Sequence, residues 1–338
     1  MYTLRKSLIF CPEKGGVRLL FPSSKQQLFL KENRTPVRMQ GEKHATAQAD
    51  LLLLLVALIW GFGFVAQRVG MDHLGPYAFN GIRFILGGLC LLPLALGRSS
   101  VPLAPKQQQI PLAKAGLLAG VVLFIAATLQ QVGLQYTTAG KAGFITGLYV
   151  VLVPMIGLFF QQRTNAGTWI GAAAATVGLY LLSVTQDFRL EPGDLLELIG
   201  AIFWAGHVLA LSWLSPRTVP VRLAMVQFFV CGALSLLTAV FLETITLQAI
   251  RDAAVPIFYG GVCSVGAGYT LQVVVQRKAH PSHAAILLSL ESPFAALGGW
   301  LLLSETLSGR ALTGCGLMLA GMLLSQLWPM LTARGQQV

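Results

Sequence analysis

Asp50-Leu-Leu-Leu-Leu-Leu-Val-Ala-Leu-Ile-Trp60 returns later in the chain, without a gap, as Asp194-Leu-Leu-Glu-Leu-Ile-Gly-Ala-Ile-Phe-Trp204. Each stretch opens on Asp-Leu-Leu and reaches Trp ten residues on, inside an apolar run. Further matches follow in the same order. Thr128-Leu129-Gln130 pairs with Thr270-Leu271-Gln272, and that register continued sets Tyr149 against Glu291. With one more residue inserted in the second half, Gly171 meets Gly314 and Gln162 meets Glu305. Chance can supply any one of these matches, but a shared order points to duplication.

The composition says what kind of chain has been duplicated. Of 338 residues, 55% are hydrophobic and 11% charged, against about a quarter charged in an ordinary soluble domain. So few charges cannot solvate the surface of a soluble protein this large. Apolar runs of the length that crosses a hydrocarbon layer of about 30 Å as a helix are expected at 50–69, 77–97, 112–134, 139–160, 166–184, 194–213, 222–242, 254–276, 281–303 and 309–329. The predicted fold is all-α: a polytopic membrane protein with ten transmembrane helices. Five spans per half is an odd number, so the second copy enters the membrane from the opposite side. The halves, 49–184 and 193–329, become two inverted five-helix repeats. Such repeats are a recurring plan of secondary transporters, which bind near the bilayer midplane between the halves.

The net charge of +11 does not signal nucleic acid. Nine of the 24 Lys and Arg residues fall within the first 43 positions, and most others sit in short loops. With the first segment inside, 18 basic residues lie on the cytoplasmic side and five on the other. Without that segment the balance is nine to five. Both termini are therefore expected in the cytoplasm, including a tail at 330–338. Residues 1–48 read as a basic polar tail, with Met39 as a second candidate start and the first 38 residues as a start-site artefact. The five cysteines form no CxxC pair, and four lie in apolar runs, where cysteine acts as a small hydrophobe. Gly140-Lys141-Ala142 is not a phosphate loop, since neither the upstream Gly nor the following Ser or Thr is present. No cofactor, metal site or enzyme cluster is expected.

Over about residues 49–329 the chain resembles the EamA-type transporters of the drug/metabolite transporter superfamily. The resemblance rests on Ile59-Trp60-Gly61-Phe62-Gly63-Phe64, Gly81-Ile82-Arg83-Phe84 and Gly143-Phe144-Ile145-Thr146-Gly147-Leu148-Tyr149 with Pro154. It continues in Leu290-Glu291-Ser292-Pro293-Phe294, Leu303-Ser304-Glu305-Thr306-Leu307-Ser308 and the small-residue run Leu312 to Gly321. The resemblance implies ten helices, cytoplasmic termini, and export or exchange of small metabolites without ATP. Where family members often carry two acidic residues, this chain has Glu305 opposite Gln162.

Polar groups inside the apolar runs are the candidates for a substrate pathway. Arg83 lies about two turns into its span, where a charge costs about 2.5–3.5 kcal/mol at mid-helix. It reads either as an anchor for a substrate carboxylate or as a side chain snorkelling to the outer surface. Glu291, just before Ser292-Pro293, stands where Pro293 is expected to kink the ninth span. There it can carry a coupling proton, bind a cationic substrate or pair with Arg83, or else serve as a neutral, hydrogen-bonded structural acid. Trp60 and Trp204 are expected to face one central site, joined by Gln130, Tyr149 and Gln272. His207, one turn from Trp204, is either a proton-linked switch or a packing histidine. The expected partners are a small-molecule metabolite, the lipid bilayer and protons, without nucleic acid, in a cell membrane. A sensor or scaffold that does not transport is the main rival, ahead of a membrane enzyme acting on lipid. Gly116-x-x-x-Gly120 and Gly167-x-x-x-Gly171 are read as helix-packing motifs.

Overall fold

The computed structural model describes residues 36–97, 105–160, 166–183, 191–276, 287–288 and 290–335. The segment 1–35, including Cys11, together with Gln162 and the basic loop residues Arg98, Arg163, Arg189, Arg277 and Lys278, lies outside the described residues. Among the described residues the structure is helical, with no strand.

The elements in chain order are α1 (Pro36–Gly70), α2 (Pro76–Leu96), α3 (Leu112–Gly133), α4 (Ala139–Gly147) and α5 (Tyr149–Gly157). Then come α6 (Ala166–Ser183), α7 (Pro192–Leu214), α8 (Pro220–Leu242), and the short α9 (Leu247–Asp252) and α10 (Ala254–Phe258). A π-helical stretch at Tyr259–Gly268 leads into α11 (Tyr269–Gln276), followed by α12 (Glu291–Leu303) and α13 (Gly309–Gly335). Seven stretches among the described residues are long and apolar enough to cross a membrane, and Ala166–Leu182 and Gly309–Ser325 are shorter apolar helices. The expected ninth span, 281–303, falls partly outside the described residues; its described helix is α12. Large apolar side chains such as Leu94, Phe159, Trp169, Val240 and Trp300 are exposed, as expected of surfaces facing lipid.

Local sequence explains where these helices start. Pro opens α2, α7 and α8, because the first turn has no intrahelical use for the missing N–H. Thr138 caps α4, its hydroxyl accepting from Lys141 N at 3.2 Å, so the Gly140-Lys141 pair begins an ordinary helix. At two places the expected geometry needs correcting: α1 starts at Pro36, within the stretch read as a polar tail, and Pro293 is placed differently. It does not kink the middle of a continuous helix. It sits in the first turn of α12, which begins at Glu291. The fourth span is interrupted in the repeat-related place, since α4 ends at Gly147 and α5 starts at Tyr149. Leu148 N bonds Ile145 O at 3.1 Å, and Leu290 N bonds Leu287 O at 3.2 Å. These are tight i→i−3 bonds at matching positions of the two copies.

The packing follows the duplication. Main contacts join α6 to α13, α2 to α8, α3 to α7 and α4 to α12. Glycine lets the first two pairs approach closely. A Cβ on Gly178 would stand 2.5 Å from Gly314 O, and one on Gly314 would stand 2.6 Å from Gly178 O. Gly171 and Gly321 oppose each other in the same way. Because the sequence register pairs Gly171 with Gly314, and hence Gly178 with Gly321, exchanging the copies turns one contact into the other. Gly88 against Phe229 and Gly232 against Ile85 exchange likewise in the Asp50/Asp194 register. Gly116 meets Val226 and Gly120 meets Val230, so that motif packs α3 on α8.

Candidate functional site

Arg83 lies on α2 and is 4% exposed. It does not snorkel: its Nε donates to Asn80 Oδ1 at 2.9 Å, and Asn80 Nδ2 donates in turn to Ala127 O at 2.9 Å on α3. Its guanidinium carbon is 4.8 Å from the ring centre of Phe84 and 5.9 Å from that of Phe79, the geometry of a cation–π contact. Among the described residues no carboxylate lies within salt-bridge distance of it, so the expected pairing with Glu291 does not form.

An aromatic chain leads away from Arg83. Phe84 packs on Phe228 at 6.0 Å, Phe228 on Tyr269 at 5.3 Å, and Tyr269 on Trp60 at 5.0 Å between ring centres. Trp60 donates its indole N–H to Ser264 O at 3.1 Å in the π-helical stretch. Such stretches leave backbone groups with altered partners and often occur at functional places. Trp204 packs against the same cluster of Phe84, Phe228 and Tyr269, so the two repeat-related tryptophans meet one aromatic group.

A second, polar line runs beside it. Trp204 Nε1 donates to Gln130 Oε1 at 2.8 Å, and Gln130 Nε2 donates to Gln67 Oε1 at 3.0 Å. Gln131 reaches Gln67 O at 3.2 Å. His207 stands edge-on to Trp204 at 5.9 Å, its Nε2 2.9 Å from Gln227 Oε1, which fits a neutral ring donating to the amide oxygen. Gln272 is buried on α11.

Tyr149 and Glu291, opposed in the sequence register, also lie beside each other. Two repeat mates that touch must lie next to the axis relating the copies. Glu291 is 4% exposed, and the adjacent Ser292 Oγ donates to Gly143 O at 2.9 Å. Tyr269 lies near enough to Arg83, Tyr149 and Glu291 to interact electrostatically with each. Tyr269 thus has both the buried cation and the buried acid in its neighbourhood.

Two carboxylates that follow apolar spans complete the arrangement. Glu243, after α8, accepts from Tyr77 N at 2.9 Å and Ala78 N at 2.8 Å. Glu305, after α12, accepts from Ala139 N at 2.8 Å and Gly140 N at 3.1 Å. Each clasps the N-terminus of a helix of the first half, where free N–H groups and the helix dipole favour an anion. Gly75 leaves the space that the Glu243 carboxylate fills. Ser304, at φ 55°, turns the chain at the end of α12 so that Glu305 can fold back, a left-handed conformation uncommon for a residue with a side chain. Glu305 thus has a role that does not need an acid at 162.

Sequence reasoning also passed over an acidic line on α7. Lys141 Nζ is 2.5 Å from Glu191 Oε2 and 2.8 Å from Asp194 Oδ2. Thr137 Oγ1 donates to Asp194 Oδ1 at 2.5 Å, and Thr146 Oγ1 to Glu197 Oε2 at 3.1 Å. The available signal was the spacing Glu191-x-x-Asp194-x-x-Glu197, which puts three acids on one helix face.

Comparison with known proteins agrees with this architecture. The model of the EamA-like transporter family matches twice, at residues 47–184 and 191–327. An "Uncharacterized transporter" of Archaeoglobus fulgidus is 35% identical over 82% of this chain and 86% of its own length. A "Probable amino-acid metabolite efflux pump" of Salmonella typhimurium is 26% identical over 81% of this chain and 93% of its own. A crystal structure at 18% identity superposes with a TM-score of 0.61, covering 83% of this chain and 97% of that one, a likeness of fold. Two matches that take in nearly all of the apolar sequence, together with a relative this similar over most of both chains, place the protein in the EamA-like transporter family of membrane proteins.

Proposed function

We propose that this membrane transporter is a secondary exporter that moves a small carboxylate-bearing metabolite by alternating access, without ATP. Arg83 carries the reading. A buried guanidinium with one side-chain hydrogen bond and two aromatic faces has N–H donors to spare, and among the described residues no carboxylate satisfies them. A planar fork of donors fits a carboxylate, and the substrate supplies the missing one. The name of the Salmonella relative, an amino-acid metabolite efflux pump, supports the same ligand class.

Trp60, Trp204, Tyr269, Gln130 and Gln272 line the route in this reading, and Tyr149 with Glu291 sits where the halves rock against each other. Glu291 carries a coupling proton, and His207 is the second candidate for that role. The clasps at Glu243 and Glu305 hold one end of the bundle shut, so opening that end requires breaking their backbone bonds. The protein resides in the cytoplasmic membrane, its ten spans arranged as inverted repeats at 49–184 and 193–329 and both termini inside. A reporter fused after Val338 gives a cytoplasmic signal on this topology.

Counterflow in proteoliposomes preloaded with a mixture of unlabelled amino acids tests the transport claim. Uptake of labelled amino acids above the level of empty liposomes supports it. Binding of the same labels without counterflow overturns it in favour of a sensor or scaffold.

A further inference from the structure

The line of acids on α7 is graded from water to core. The Glu191 side chain is 43% exposed, Lys141 facing it 12%, and Asp194 not at all. One turn further, Glu197 is also fully buried. Glu197 Oε2 accepts from Thr146, but Oε1 has no hydrogen-bond partner. Oε1 lies against the end of α3 at Gly133, where a Cβ would stand 3.1 Å from it. Glycine therefore leaves the room this oxygen occupies.

Charge balance then decides what the carboxyl holds. Among the described residues Lys141 is the one cation in the cluster, and Asp194 and Glu191 share it. At this level α4 adds Thr146 and Lys141, Thr137 stands just before α4, and α3 contributes Gly133. None of these leaves a second positive charge for Glu197. An unpaired buried carboxylate costs several kcal/mol or more, so such a group takes up a proton.

The other half of the molecule shows that the fold does not require an acid here. Leu53 occupies the repeat-related position of Glu197, and Leu288 that of Thr146. Leu53 and Leu288 share one apolar cluster with Val56. A polar pair in one copy is thus an apolar pair in the other, on matching backbone.

We infer that Glu197 is a proton-binding site fed from the solvent-exposed end of α7 through Glu191 and Asp194. A proton from water at that end forms an O–H bond on Glu197 Oε1, turning carboxylate into carboxylic acid, and leaves by the reverse route; no electrons move. Asp194 and Glu191 stay bridged by Lys141, which keeps the entry polar without neutralising the inner acid.

Infrared difference spectra of the full-length protein in liposomes, recorded across a pH step in H2O and D2O, read this directly and need no substrate. A protonated-carboxyl band that shifts in D2O and titrates with pH is expected in wild type. It should be absent in Glu197→Gln, displaced in Thr146→Val and retained in Glu291→Gln. The Thr146 variant keeps the test alive if Glu197→Gln folds poorly. Spectra unchanged by both substitutions overturn the proposal. So does a Glu197 band that persists at every pH, or one that answers to Na+ or K+ instead of protons. Because transport is not the readout, absent counterflow together with a Glu197 band would sink the transport reading alone.

Discussion

Glu197 with Thr146, and Leu53 with Leu288, are the same place built twice. Both sites are closed to water and both lie between the same kinds of helix, yet one holds a hydrogen-bonded acid and the other only methyl groups. The glycine contacts of α6 with α13, and of α2 with α8, behave the opposite way, since exchanging the copies maps them onto each other. Backbone approach is therefore common to both halves, while the buried acid at this place belongs to one. Where the copies differ in charge, function rather than folding is the reason to look for.

The largest effect comes from forcing the copies to match in the wrong direction. Leu53→Glu puts an acid among Val56 and Leu288, with Leu288 where the other copy has the hydroxyl of Thr146, and should cost about 3 kcal/mol or more of stability. Glu197→Leu, which makes the second copy resemble the first, should stay within about 1 kcal/mol of wild type, since an apolar replacement of a buried charged group is often neutral. Thermal melting of the purified protein in detergent measures both. Equal losses would mean that the carboxylate is structural.

A smaller, symmetric loss is expected where the copies agree. Gly178→Ala and its repeat mate Gly321→Ala each push a methyl against the partner helix's backbone, which overpacks the contact by about 1–3 kcal/mol. The two losses should be similar and less than additive, because the sites share one interface. Tolerance of one substitution but not the other would break the symmetry argument.

Removing a clasp should matter least to stability. Glu243→Gln or Glu305→Gln loses a charge at a helix N-terminus, worth about 0.3–1 kcal/mol and up to about 2 kcal/mol in a partly buried setting. The same variants should label faster with a membrane-impermeant thiol reagent at a cysteine placed at position 139 or 77. Unaltered labelling would show that the clasps do not hold that end closed.

These contrasts also mark what could be read in advance. Several apolar runs announced helices to within a few residues, as at 77–97 for Pro76–Leu96 and 222–242 for Pro220–Leu242, whereas α1 starts at Pro36, well before the expected 50. The pairing of Tyr149 with Glu291 was visible as a register before it was visible as proximity. Glu243, Gln67 and the Lys141–Asp194 bridge were not legible. Their partners are far away in sequence, and nothing local tells a capping acid from a loop acid. The reading of Pro293 failed for a related reason. A proline inside an apolar run looks the same whether it kinks one helix or opens the next, and the i→i−3 bond of Leu290 that decides between them is a backbone property. The π-helical stretch had no warning beyond its glycines.

The most direct test of the account is amino-acid counterflow by Arg83→Gln in proteoliposomes, beside wild type and Arg83→Lys. If the buried guanidinium holds the substrate's carboxylate, the Gln variant should lose at least about tenfold in rate, the equivalent of about 1.4 kcal/mol, while melting near the wild-type temperature. Lys should recover part of the rate. Wild-type counterflow in the Gln variant would contradict the assignment of Arg83 to substrate.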